Sequence, residues 1–180
     1  MPEWNEIVQM PEGYTTTIID SKEAVDDSAL ELIPGEKFGP ARFGMTVEQV
    51  IKAIGEPDLA SGFVQTTFAD DGGAAKYQVC KLNYASRGFE LSVEQDHGLI
   101  GVICFGFPGV REFQGQFPGG IKMGDTPEDV RSVFGEVARQ PNLNWGESSS
   151  DLIYQSVNNS TIRFVFNKSQ LTMTVVLKKE

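Results

Sequence analysis

His97 is the single histidine of the chain, and so the first residue to ask for acid–base or metal chemistry. It lies in a predicted turn, Asp96-His97-Gly98, with no second histidine and no cysteine nearby, and nothing around it reads as a nucleophile elbow. Cys80 and Cys104 each sit inside an apolar run without C-x-x-C spacing, which predicts two buried thiols in a reducing compartment, not a disulfide or a metal pair. Asp70-Asp71-Gly72-Gly73 offers oxygens to a hard cation but lacks the spaced ligands of an EF-hand loop. Among 25 acidic residues, spacing alone selects no general-acid and general-base pair. The sequence therefore nominates no catalytic residue, no cofactor site and no metal ligand, and leaves enzymatic activity unsupported.

What the chain does say, it says twice. Gly44-Met45-Thr46-Val47-Glu48-Gln49-Val50 runs on to Gly55-Glu56, and Gly124-Asp125-Thr126-Pro127-Glu128-Asp129-Val130 runs on to Gly135-Glu136, 80 residues later. A glycine ahead of a helix start invites a phosphate, because free N–H groups and the helix dipole favour an anion there. Here Glu48, Asp125, Glu128 and Asp129 already place carboxylates in those first turns, so capping is the better account. Thr46 with Gln49 forms a predicted capping box, and Thr126 is a predicted N-cap with Pro127 at the first helical position. Val47, Val50, Ile51 and Ile54 share one helical face, and Gly55 and Pro57 stop the first helix after two and a half turns or so.

The elements around these helices read as antiparallel strands. Residues 77–84, 89–94 and 99–105 are strand-length and joined by short turns, predicting a meander. Phe89, Leu91 and Val93 alternate with Glu90, Ser92 and Glu94, predicting one buried and one polar face. A second set is expected at 152–156, 162–166 and 171–177. The two overlapping sequons at Asn158-Asn159-Ser160-Thr161 read as an asparagine-rich turn. The expected fold is α+β: residues 38–110 and 111–180 as two tandem repeats of short helix plus antiparallel β-meander in one compact unit, the sheet covered by helices on one face. Residues 1–37 form an acidic N-terminal segment with one or two short strands, at 14–19 and 29–33, which either packs on the repeats or extends as an arm.

Composition narrows the partners. The net charge of −10 falls unevenly: nine acidic and two basic residues in 1–40 (−7), eight and five in 41–110 (−3), eight and eight in 111–180 (0). Nowhere is there the basic surplus that releases counterions from nucleic acid or binds an anionic membrane. The longest apolar run, 99–107, is too short to span a bilayer, and the start of the sequence lacks the features of a secretory signal, so a cytoplasmic protein is expected.

The stretch from Gly44 to Pro57, Gly-Met-Thr-x-x-x-Val-x-x-x-Ile-Gly-Glu-Pro, followed by a meander, resembles the unit shared by the SmpA/OmlA-type outer-membrane-assembly lipoproteins and the β-lactamase inhibitory protein-like superfamily. Its tandem arrangement looks more like the latter. No lipobox cysteine accompanies it, and no binding loop transfers residue by residue. The resemblance implies binding to another protein through the open sheet face and its edge loops, with an inhibitor or immunity-type antidote as one form of that role. Alternation places Lys81, Asn83, Glu90, Ser92, Glu94, Arg163, Thr172 and Thr174 on that face. Phe107, Phe113, Phe117 and Trp145 lie in predicted loops, either as interface anchors or as plugs of the seam between repeats. The rivals are a small-ligand-binding or enzymatic cleft between the repeats, and a homodimer that covers its own open sheet.

Overall fold

The computed structural model describes residues 26–70 and 73–178, with side chains at all of these except 68–70, 73–75, 145, 156 and 157. The strand expected at 14–19 and the Asp71-Gly72 pair lie outside the described residues. Three two-residue strands, β1 (Leu32–Ile33), β2 (Lys37–Phe38) and β3 (Ala41–Arg42), make a small antiparallel sheet. Helix α1 (Val47–Ile54) leads into β4 (Leu59–Asp70), β5 (Gly73–Tyr84), β6 (Phe89–Glu94) and β7 (Gly98–Phe105). Helix α2 (Pro127–Phe134) leads into β8 (Leu152–Val157), β9 (Ser160–Asn167) and β10 (Gln170–Lys178). The last seven strands form one antiparallel sheet in the order β4-β5-β6-β7-β10-β9-β8, so β7 and β10 meet in its interior.

The helix starts form as their sequence dictates. Thr46 Oγ1 accepts from the Gln49 amide at 3.3 Å while Gln49 Oε1 accepts from the Thr46 amide at 2.9 Å. Thr126 and Asp129 repeat the exchange at 3.2 and 2.9 Å. Each helix is then tied to strands by three matching bonds. Gly44 donates to the Leu99 carbonyl (3.0 Å), Leu99 donates to Met45 (2.8 Å), and the Tyr84 hydroxyl donates to the carbonyl of Gly55 (2.8 Å). In the second half Gly124 donates to Leu171 (2.9 Å), Leu171 to Asp125 (2.8 Å), and Tyr154 to Gly135 (2.9 Å). Burial pushes the Tyr84 and Tyr154 hydroxyls up in pKa, so both remain donors at neutral pH. Gly98 permits the first crossing: it holds φ +75°, and a Cβ there would run into the Gly44 carbonyl.

The expected α+β layout with a helix-covered sheet is corrected. The molecule is mostly antiparallel sheet, ten strands in two sheets, with two eight-residue helices among the described residues. An eight-residue helix is about 12 Å long, whereas seven strands spaced at about 4.8 Å make a sheet near 30 Å wide. The helices are too small to cover it: α1 buries Val50 and Ile54, and α2 buries Val130. The rest of the cover comes from the small sheet through Leu32, Phe38 and Ala41, and from the segment before α2 through Phe113, Phe117 and Ile121. The long β4–β5 hairpin is a second departure, since β4 falls where no strand is expected.

The core runs across both halves as a chain of rings. Tyr84 stacks on Phe89 at 4.8 Å, Phe89 meets Phe38 at 4.7 Å, and Phe38 meets Phe113 at 5.7 Å. Phe113 then meets Phe117 (5.8 Å), and Phe117 meets Phe164 (6.1 Å) in the second half. Phe164 continues to Phe134 at 5.1 Å. Phe113 and Phe117 are therefore buried links in this chain of rings between Phe38 and Phe164.

Thr174 departs from the alternation read in the sequence. A β-bulge between Leu171 and Met173 shifts the parity of β10, so Thr174 turns into the core, opposite Cys104 and Phe164, with no exposure and no partner for its hydroxyl among the described residues. An unsatisfied buried hydroxyl is costly, and valine has nearly its shape. Thr174→Val is expected to leave the fold intact and raise stability by about 1 kcal/mol, read from urea midpoints.

Candidate functional site

Opposite the core, the seven-stranded sheet presents a second face whose rows follow from register. One row runs Asn83, Glu90, Ile103, Val175, Arg163, Ile153, and the next runs Lys81, Ser92, Gly101, Leu177, Thr161. The β5–β6 end is polar as expected. Lys81 Nζ lies 3.3 Å from Glu90 Oε1, and Asn83 Nδ2 donates to Glu90 Oε2 at 3.3 Å. The centre is apolar instead: the bulge that sends Thr174 inward brings Met173, Val175 and Leu177 outward beside Ile103 and Phe105, all half-buried.

At one end of this face the chain leaves β7 through Phe107 and folds back along the turn after β5. Gly88 makes the return possible, because a Cβ there would lie 2.5 Å from the Phe113 amide nitrogen. The fold-back borders a partly open pocket of about 190 Å³ lined by Asn83, Ala85, Phe105, Phe107, Val110 and Arg111. Phe107 stands edge-on to Phe105 at 5.8 Å and is 37% exposed. Arg111 is exposed and makes no ion pair among the described residues. Asn83 and Arg111 are the polar residues of the pocket's otherwise apolar lining.

The expected interface residues thus divide. Lys81, Asn83, Glu90 and Phe107 come together at the cavity end. Ser92 is buried because Gly101 opposite it has no side chain and Leu177 leans over the gap. Phe113 and Phe117 are core. Thr172 is the extra residue of the bulge, its hydroxyl donating to the Val165 carbonyl at 3.2 Å. Arg163 is on the open face but occupied: its Nε donates to Asp151 Oδ2 at 2.7 Å and its guanidinium also reaches the Gly146 carbonyl. Trp145 falls in a 3-10 turn, and its side chain lies outside the described part. Phe105, Val110 and Arg111 were not expected; the parity of Phe105 against buried Cys104 was the one local signal for them.

Glu94 serves the turn after β6. Its Oε2 accepts from the Asp96 amide (2.8 Å) and the His97 amide (2.7 Å) and lies 2.7 Å from His97 Nδ1, which gives the lone histidine a structural partner. Burial pushes the Glu94 carboxyl up, but the bonds from the His97 ring and the two amides outweigh it and hold the group below the ordinary 4.5. A carboxyl depressed in the folded state stabilises the fold above its unfolded pKa, and that contribution is lost as pH falls through the folded value. The stability gap between wild type and Glu94→Gln is therefore expected to shrink once pH drops below about 4.5, measured by urea midpoints across that range.

Burial raises the pKa of the Cys80 thiol and raises that of Cys104 well above its ordinary value, so neither is a ready thiolate. Among the described residues no three His, Cys, Asp or Glu side chains gather as metal ligands, and no helix is long and apolar enough to cross a membrane.

No family model matches this chain, and no curated protein matches it. A crystal structure of a DUF4309 family protein, YjgB from Bacillus subtilis, is similar over 74% of this chain and 78% of that one, at 19% identity and a TM-score of 0.41. Neither the SmpA/OmlA-type lipoproteins nor the β-lactamase inhibitory protein-like superfamily emerges from these comparisons.

Proposed function

We propose that this chain is a protein-binding module that docks its partner on the open face of the seven-stranded sheet, at the end bounded by Phe107 and Arg111. The observation that carries the reading is the cavity beside a half-exposed apolar stripe, with Arg111, which makes no ion pair among the described residues, in its lining. Its chemistry selects a partner segment that inserts a bulky apolar side chain between Phe105, Phe107 and Val110 and sets a nearby carboxylate against Arg111. An inhibitor or immunity-type role is one form of such binding. The two buried, unpaired thiols suit a reducing, cytoplasmic setting. The matching bonds around α1 and α2 support reading the halves as copies of one ancestral unit. Where shifted carboxylates occur, as in Glu94, Glu147 and Asp129, hydrogen bonds of turns, ion pairs and caps hold them, which is structural and not catalytic use. The rings of Phe113, Phe117 and Phe164 fill the seam between the halves, so a small ligand, the alternative occupant, would enter at the Phe107 cavity.

The test pairs a pull-down with a small probe. A stoichiometric protein captured by wild type is expected to be lost with Phe107→Asp and weakened at least tenfold, about 1.4 kcal/mol, with Arg111→Glu. N-acetylphenylalanine titrated into labelled protein should shift the amides of Asn83, Phe105 and Arg111. Capture that is indifferent to Phe107→Asp, or no stoichiometric partner at all, overturns the reading; probe shifts without any protein partner favour the small-ligand alternative.

A further inference from the structure

The two outer edges of the large sheet are treated differently. At the β8 edge the segment after α2 lies alongside, with the Ala138 amide donating to the Ile153 carbonyl at 3.0 Å and Arg139 bridging to Ile153. At the β4 edge no strand pairs among the described residues. Exposed edges are ordinarily guarded by charge, proline, a bulge or a cover, since their free N–H and C=O groups template further pairing. Residues 59–69 of β4 contain no charged residue and no proline. Their one guard is a bulge near the base, between Ala60 and Phe63, where Gly62 holds φ +67° and Ser61 Oγ accepts from the Lys81 amide at 2.9 Å.

Beyond that bulge β4 pairs regularly with β5 from Phe63↔Cys80 to Asp70↔Gly73. Strand β6 reaches only as far as Val79, so the outer hairpin projects past the sheet as a two-stranded ribbon. Such ribbons are marginal in water without a further strand or a packed face. Phe63, near the base, is 39% exposed.

We infer that β4 pairs antiparallel with β4 of a second copy of this chain, joining two seven-stranded sheets across a two-fold axis. A strand running antiparallel to its own copy is self-complementary by symmetry, and residues 59–69, being uncharged, set no like charge opposite themselves. A register centred on Thr66 puts threonine across from threonine, Gln65 across from Thr67, and Asp70 across from Gly62, while Asp58 stays outside the ladder. The contact is neutral but the bodies are not: each copy carries a net charge of −10. Repulsion between them weakens the dimer at low ionic strength, and salt relieves it. The inference uses only the edge of β4, so it stands or falls apart from the docking face proposed above.

The test is sedimentation equilibrium of the whole chain from low micromolar to submillimolar concentration, at low and high salt. The mass is expected to rise from 19.8 kDa towards twice that value, with the apparent Kd falling severalfold as salt is raised. Thr66→Lys, which sets two ammonium groups face to face, should raise the Kd at least tenfold while leaving the urea midpoint of the monomer nearly unchanged. Thr66→Cys should cross-link as a dimer under mild oxidation. A mass fixed at 19.8 kDa throughout, a dimer that salt weakens, or a dimer that Thr66→Lys leaves intact would each overturn the inference.

Discussion

Replacing Arg87 with alanine is expected to destabilise the fold by about 3–5 kcal/mol, because it strands a buried carboxylate. Arg87 donates through Nε to Asp27 Oδ2 at 2.8 Å and through its terminal nitrogen to Oδ1 at 2.7 Å, with the Asp27 side chain only 4% exposed. Its remaining arm donates to the Ile54 carbonyl at the end of α1 at 2.7 Å, and its plane lies over Phe89 at 5.1 Å. One guanidinium therefore fastens the segment before β1, the helix end and the ring stack together. The loss is measured as the urea midpoint at neutral pH. The double variant Asp27→Asn, Arg87→Met should lose clearly less than Arg87→Ala alone, since it removes the unpaired charge along with the pair.

Phe117→Ala is expected to cost a similar amount, about 3–5 kcal/mol, and to do so in both halves at once. Phe117 is fully buried and touches Phe113 on one side and Phe164 on the other, where the ring chain crosses towards β9. The cavity it leaves cannot close by moving either half alone, because β7 and β10 hold their spacing. Unfolding should remain a single transition, and amide exchange should accelerate together at Leu91 and Ile162. Exchange that quickens at Ile162 while Leu91 stays protected would mean two cores where the structure has one.

Much of this was legible where the determining contacts are local. Thr46 with Gln49 and Gly55 sets one helix within ten residues of chain, and the alternation of Phe89, Leu91 and Val93 names the buried face of β6. Turn chemistry places the β8–β9 hairpin, where Asn158 and Asn159 both hold positive φ. Other features depend on distant chain. Beyond the end of β6 no strand flanks the outer hairpin among the described residues, so no burial pattern marked β4 as a strand. β2 and β3 are two residues each and exist through pairing, not propensity. The parity of β10 turns on a bulge that Leu171-Thr172-Met173 does not announce, and with it went the assignment of Thr174 to the open face. The candidate site was half readable: alternation gives Lys81, Asn83 and Glu90, whereas Phe105 and Arg111 join them only because the chain returns over Gly88.

The position of β10 bears on how this protein is made. A strand that follows its neighbours in sequence is easily added at a sheet edge, but β10, which follows β8 and β9, lies between β7 and β9 in the interior. During synthesis the first run, β4 to β7, can form as soon as it emerges, yet β7 must wait with an open edge until more than sixty further residues have been added. Its strand, Gly98–Phe105, is largely apolar, which is the kind of edge that captures other nascent chains. Translation speed through residues 106–170 therefore sets how long that hazard lasts, and slowing it should lower soluble yield even though the finished molecule is unchanged.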